Sequence, residues 1–371
     1  MISGNFTTMD FRDAVYVSPK VVIHKGDLVP FVEMASVETG NRKDAKTIEF
    51  RKYSGGAKFE KGDTVIASIE PCLQHGKSFY FSEYDKGAGS TEFLVFRGVE
   101  GVTTNQFVYY FMMSYEIRAA MIRSMKGATG RQRVDPDVFD GMRISLPDIQ
   151  YQTRIASILS NYDSAIANCR RQIALLEEAA MRLYREWFKD GKGEKVKLTD
   201  LADITYGYPF ESRLFNTKKL GRPIVRIRNV PIGQSQDYTT EVAKDMYLVH
   251  DGDLLIGMDG EFHMNFWSGG DAWLVQRTCK LAPKDKCHSG FIAEAIRAPI
   301  KAFQSAIVGS TVGHLGKADI DTIEIPCPEV EKSKRLQVGF ETRVKLRQQI
   351  RALTEARDRL LPKLMKGEIA V

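Results

Sequence analysis

Between Ile155 and Trp187 the chain reads IASILSNYDSAIANCRRQIALLEEAAMRLYREW. The apolar positions Ile155, Ile158, Tyr162, Ile166, Cys169, Ile173, Leu176, Ala180, Leu183 and Trp187 follow one another at steps of three and four. That spacing keeps one stripe of a helix apolar for more than four heptads, which predicts a coiled-coil seam. The outer positions carry both charge signs (Arg170, Glu177, Glu178, Arg182, Arg185), so the helix is expected to project into solvent and bury only the seam. Near the other end Leu346, Ile350, Leu353, Leu360 and Leu364 repeat the steps, with Arg357 interrupting them. The local sequences match too, RQIALL at 171–176 beside QQIRAL at 348–353. Pro362 is expected to kink or end this second helix.

Working outward, each helix follows the same series of features. Gly62-Asp63 opens the apolar run TVIA, and Gly252-Asp253 opens LLIG, an offset of 252 − 62 = 190. A glycine-rich loop, Gly127-Ala128-Thr129-Gly130, has its counterpart in Gly309-Ser310-Thr311-Val312-Gly313, an offset of 309 − 127 = 182. A short strand then runs into proline in both copies, Ile144-Ser145-Leu146-Pro147 and Ile323-Glu324-Ile325-Pro326. The ordered features indicate a duplication diverged by insertions and deletions. Arg154 pairs with Arg335 at 181 and Gln172 with Gln349 at 177, so four residues are missing from the second helix.

Short β-rich runs such as TVIASI, FLVFRG, PIVRIR and AWLVQRTCKLA make each copy α+β. Each also holds a helix, near 104–124 and 289–308. The expected architecture is two similar α+β modules, 1–147 and 192–327, separated by helices at 148–191 and 328–371. If the helices share a seam, the second runs back along the first. The pair is then an antiparallel coiled coil with a pseudo-two-fold internal repeat, on the order of 60 Å long at 1.5 Å per residue.

Composition narrows the class. The 371 residues suit about two domains, and 43% hydrophobic with 27% charged residues excludes a disordered chain. The net charge of +6 permits a nucleic-acid partner without requiring one. Five scattered cysteines read as reduced thiols, the N-terminus lacks a signal-peptide pattern, and no apolar run is long enough for a membrane span, so a cytoplasmic location is expected.

Catalytic patterns do not assemble. Gly316-Lys317 has Thr311 where a phosphate-binding loop needs its first glycine, and Gly87-Ala88-Gly89 lacks the third glycine of a dinucleotide fingerprint. Cys279, Cys287 and His288 lack a fourth ligand at zinc spacing, so no metal site is expected. Polar loops remain, rich in side chains that read base edges or hold phosphates. The first module offers Arg42, Lys43, Gln74, His75, Lys77, Arg131 and Arg133. The second offers Tyr208, Arg213, Arg226, Arg228, Asn229, His263, Asn265, Gln276, Arg277 and His314. Duplicated readers on a spacer suit a split site in double-stranded DNA. Competing readings are an enzyme with an unfamiliar nuclease or methyltransferase site and a coiled-coil adaptor that binds proteins only.

The run Leu146-Pro147, Gln152 to Leu159, Arg171 to Glu177 and Trp187-Phe188 resembles the central region of type I restriction-modification specificity subunits. Gly252 to Ile256, Gln276-Arg277, Gly309-Ser310-Thr311 with His314-Leu315, and Leu361 to Ile369 carry the same likeness. The resemblance implies two target recognition domains and a non-catalytic chain without its own cofactor. It further implies helices that dock two modification subunits, for which Arg170, Arg182, Arg185, Arg347 and Arg351 are the candidate contacts. S-adenosylmethionine, ATP and Mg are then expected on partner modification and restriction subunits. One departure stands out: where the second module has Gln276-Arg277, the first has Thr91-Glu92.

Overall fold

A computed structural model describes residues 5–40, 48–188, 194–306 and 313–370. The chain divides into two compact units, 1–165 with 353–371, and 166–352. Each unit therefore combines a module with a stretch of both long helices.

In the first unit, Val15–Val17, Phe93–Gly98, Thr64–Ala67 and Ser78–Tyr80 form an antiparallel sheet in that order. A second sheet runs Glu49–Lys52, Leu28–Val32, Lys86–Gly89, Ala57–Glu60, its middle two strands parallel. A ribbon of Phe6–Asp10 with Arg143–Pro147 joins the ends of the module. The core packs Phe11, Phe96, Phe107 and Phe139 against Tyr151, Ile155 and Leu159 of the long helix.

The second unit repeats this plan. Ala202–Tyr206, Thr278–Pro283, Leu254–Gly257 and Met264–Phe266 make the antiparallel sheet. Arg222–Val225 and Ala272–Leu274 are the parallel pair, and Lys195–Lys197 with Glu324–Pro326 is the ribbon. The Gly-Asp turns coincide in detail. Gly62 and Gly252 have φ of 96° and 95°, a region open to glycine, and their N–H groups donate to Phe81 O and Trp267 O. Each aspartate then accepts from the backbone three residues earlier, Glu60 N–H to Asp63 at 2.8 Å and His250 N–H to Asp253 at 2.9 Å.

The helices expected at 104–124 and 289–308 are each broken. The first is Asn105–Met112 and Tyr115–Arg123, because Ser114 takes an extended backbone and restarts the helix as its N-cap. The second is Ser289–Ala295 and Arg297–Ala306.

The long helices are Ile149–Phe188, 40 residues, and Val330–Met365, 36 residues, a difference of 40 − 36 = 4. Pro362 does not end the second helix. It stands one turn from the end, where its missing N–H costs a single bond, and Lys366 N–H still reaches Pro362 O at 3.2 Å. Within the first unit Tyr151 meets Ile369 and Asp163 meets Arg357. Within the second, Glu177 lies beside Arg343 and Arg347 while Phe188 lies under Lys332. In each unit the paired stretches are thus antiparallel. Cys169, Ile173 and Leu346 form the seam, with Leu176 and Ile350 against it. Elsewhere the helices do more than share a seam: Ala180, Leu183 and Trp187 pack with Leu336 and Phe340 into the second module's core. That corrects the expectation of helices projecting freely into solvent.

Candidate nucleic-acid interface

The second module carries a cleft of about 680 Å³. Five expected residues line it, Arg226, Arg228, His263, Gln276 and Arg277, together with Phe210 and Phe215. Arg226 holds its guanidinium 5.6 Å from the Phe215 ring centroid, a cation–π contact that stiffens it. Arg228 makes a two-point ion pair with Asp237, 2.6 and 3.2 Å, and His263 Nε2 lies 3.3 Å from Glu261. Gln276 and Arg277 occupy a three-residue loop between strands. Its backbone is pinned on both sides, by Gln276 N–H to Tyr208 O and by Met258 N–H to Arg277 O, both 2.9 Å. Arg277 has φ of 69°, a left-handed conformation uncommon for a side-chain-bearing residue and a frequent mark of functional loops.

The other expected residues of this module are placed differently. Tyr208 stacks edge-on with Phe210, ring centroids 4.8 Å apart. Arg213 is exposed and paired with Glu211 at 2.5 Å. Asn229 is buried, and its Oδ1 accepts from Arg226 N–H at 2.9 Å, so it shapes the turn and does not face a groove. Asn265 bridges Pro231 O and the Arg347 guanidinium, both at 2.8 Å. His314 lies against Asp259 at 2.5 Å.

In the first module Arg131 and His75 are exposed. Gln74 donates to Glu70 at 2.9 Å, and Lys77 Nζ donates to Met34 O at 2.8 Å. Lys126 and Arg133 exchange both backbone hydrogen bonds at 2.9 Å, closing the glycine-rich loop. Arg133 grips Glu92 through Nε and Nη2, each at 2.6 Å, which holds the Glu92 carboxyl below the usual range. Arg42, Lys43 and the loop Gly309 to Val312 lie outside the described residues.

Asp285, Cys287 and His288 bring their ligand atoms within 4.8 Å of one another. Asp285 serves as a cap, accepting from Cys287 N–H at 2.9 Å, and burial pushes the Cys287 thiol up, away from a ligating thiolate. Cys279 is fully buried in its strand. No helix among the described residues is long and apolar enough to cross a membrane.

Of the helix arginines, Arg182 and Arg185 are exposed, Arg182 pairing with Glu178 at 2.9 Å, and Arg170 is half-buried. Arg347 and Arg351 correct the expectation of an outward face. The Arg347 guanidinium sits 3.8 Å over the Phe266 ring and is pushed down to about 10 by burial, while Arg351 forks onto Asp251 at 3.0 and 3.1 Å. Both bind the helix to its own module. The residues that sequence reading missed are the two carboxylates, Glu92 and Asp259; the sole signal was Glu92 standing where the repeat has Arg277.

A family model described as type I restriction modification DNA specificity domain matches residues 19–178 and again 191–351. The chain is 31% identical over 173 residues to the type I restriction enzyme EcoBI specificity subunit of Escherichia coli, covering 46% of this chain and 36% of that protein. The match therefore spans about a third of that relative's length. With the MjaIX specificity subunit of Methanocaldococcus jannaschii it shares 25% identity over 296 residues, 71% of this chain and 68% of the relative. The crystal structure of a type I restriction-modification system S subunit from M. genitalium superposes with a TM-score of 0.59 at 13% identity, covering 98% and 96% of the two chains, which shows likeness of fold.

Proposed function

The chain belongs to the type I restriction modification DNA specificity domain family, and from that premise we propose that it is the sequence-reading, non-catalytic subunit of a type I restriction-modification complex. The observation that carries this reading is the repeated interface: one hydrogen-bond plan, twice in the chain, with basic and amide side chains at its loops. Each module reads one half of a split duplex target, with Arg226, Arg228, His263, Gln276 and Arg277 around the second module's cleft and Arg131 and Arg133 at the first module's loop. The ion pair of Arg228 at the cleft favours recognition, since it holds an arginine fork in a fixed direction while leaving donors for a groove.

The modules are 1–147 and 192–327, separated by the two helices. Two modification subunits dock on the outward helix faces that carry Arg182 and Arg185, and restriction subunits join them. S-adenosylmethionine, ATP and Mg act on those partners. The test is selection of duplexes from a random library by the full chain assembled with modification subunits. The expected result is an enriched motif of two fixed halves around unread base pairs. Enrichment of no sequence, or of one continuous site, contradicts the reading.

A further inference from the structure

Three backbone positions of each module occupy the same hydrogen-bond lattice. Ser68 N–H donates to Glu92 O at 2.8 Å and Ser68 O accepts from Val134 N–H at 2.9 Å. In the second module Met258 N–H donates to Arg277 O at 2.9 Å and Met258 O accepts from Leu315 N–H at 2.8 Å. Glu92 is therefore equivalent to Arg277. One residue along, Ile69 is bridged to Arg133 as Asp259 is bridged to His314. The charged side chains sit differently on this lattice: Glu92 stands where Arg277 stands, Arg133 where His314 stands, and Asp259 where Ile69 stands. The first module places its acid on the inter-strand loop, Glu92, and its cation on the glycine-rich loop, Arg133. The second places its cation on the inter-strand loop, Arg277, and its acid on the bridge, Asp259.

Both arrangements give one carboxylate, about a quarter exposed (23% for Glu92 and 25% for Asp259), beneath an arginine more than half exposed. Asp259 takes Arg277 by Nη1 at 3.4 Å and His314 by Nδ1 at 2.5 Å. Among the described residues, no hydrogen bond occupies Nε or Nη2 of Arg277. An arginine neutralised by a carboxylate is a weakened ligand for phosphate, whose attraction is chiefly charge. Its remaining N–H donors still match the two acceptors, O6 and N7, that guanine shows in the major groove. Holding the fork in advance also lowers the ordering cost of a directional contact.

We propose that Asp259 and Glu92 are positioning residues that aim Arg277 and Arg133 at guanine edges, one in each half of the target. The two modules thus present the same reading group from different strands of one lattice. This rests on the DNA-reading function proposed above.

The experiment uses the full chain assembled with its modification subunits and the duplex enriched from a random library. Affinity is measured for that duplex and for copies in which single guanines become 7-deazaguanine, which removes N7 and leaves pairing intact. Wild type is expected to lose about tenfold at one guanine in each half. Asp259→Asn loses this sensitivity in one half and keeps it in the other; Glu92→Gln does the reverse. Arg277→Lys, which keeps the charge and loses the fork, behaves as Asp259→Asn does. Variants that retain wild-type sensitivity at both guanines, or that weaken every duplex in parallel, overturn the proposal. A wild-type complex that enriches no sequence overturns the DNA-reading function itself, a separate result.

Discussion

Arg357 and Asp163 form an ion pair at 2.6 Å with side chains only 12% and 8% exposed, across the antiparallel helix stretches of the first unit. Arg357 is the residue that interrupts the apolar seam of the second long helix, and Asp163 lies opposite it. The Tyr110 hydroxyl donates to the other carboxylate oxygen at 2.5 Å, and this burial beside Asp163 drives the phenol far above its usual range. A buried polar group of this kind specifies register more than it adds stability.

Asp163→Ala leaves the guanidinium buried without its main partner and is expected to destabilise the protein by about 3–5 kcal/mol. Replacing both residues by leucine is expected to recover most of that loss. Urea denaturation through a double-mutant cycle measures the coupling; a double variant as unstable as the sum of the singles contradicts it.

Gly207 lies against the loop of Gln276 and Arg277. A Cβ there would stand 2.0 Å from Val275 O and 2.8 Å from Gln276 N, backbone atoms that cannot swing aside. Gly207→Ala is expected to displace the loop and reduce discrimination in one half of the target about tenfold or more, leaving the other half unchanged. Affinities for singly altered duplexes check this, with circular dichroism to establish that the variant is folded.

Arg131 and Arg226 make no ion pair among the described residues, which leaves their full charge for phosphate. Alanine at either is expected to weaken binding to all duplexes alike and to flatten the slope of log affinity against log salt by about 0.9. A change confined to particular sequences would instead make that arginine a base reader.

The thiols differ in access. Cys327 is exposed, whereas Cys169 and Cys279 are buried, and burial pushes the Cys279 thiol up to about 12. At about pH 8 a disulfide reagent is expected to label Cys327 promptly and to reach Cys169 and Cys279 only on unfolding. Prompt labelling of Cys279 in the folded chain would contradict its place in the core strand.

The duplication and the helices were legible because their signals are local. A Gly-Asp turn needs a positive φ at one residue, and a seam needs only its spacing. The break at Ser114 was not legible, since Ser114 holds the N-cap position by its extended backbone and makes no side-chain cap hydrogen bond that its residue type would advertise. Arg347 and Arg351 look like solvated positions in sequence, yet their partners Phe266 and Asp251 lie 81 and 100 residues away. Asn229 had a groove-reading side chain by type and spends it on the turn beneath Arg226. The carboxylates Glu92 and Asp259 were hidden for the same reason: the arginines that pair with them, Arg133 and Arg277, come from other loops 41 and 18 residues distant.

Methylome sequencing of cells expressing this chain with its modification subunits tests the central claim most directly. The account predicts methylation at one bipartite motif, two short specific halves separated by a fixed number of unread base pairs. Methylation at a single continuous motif, or no sequence-dependent methylation from an assembled complex, would contradict it.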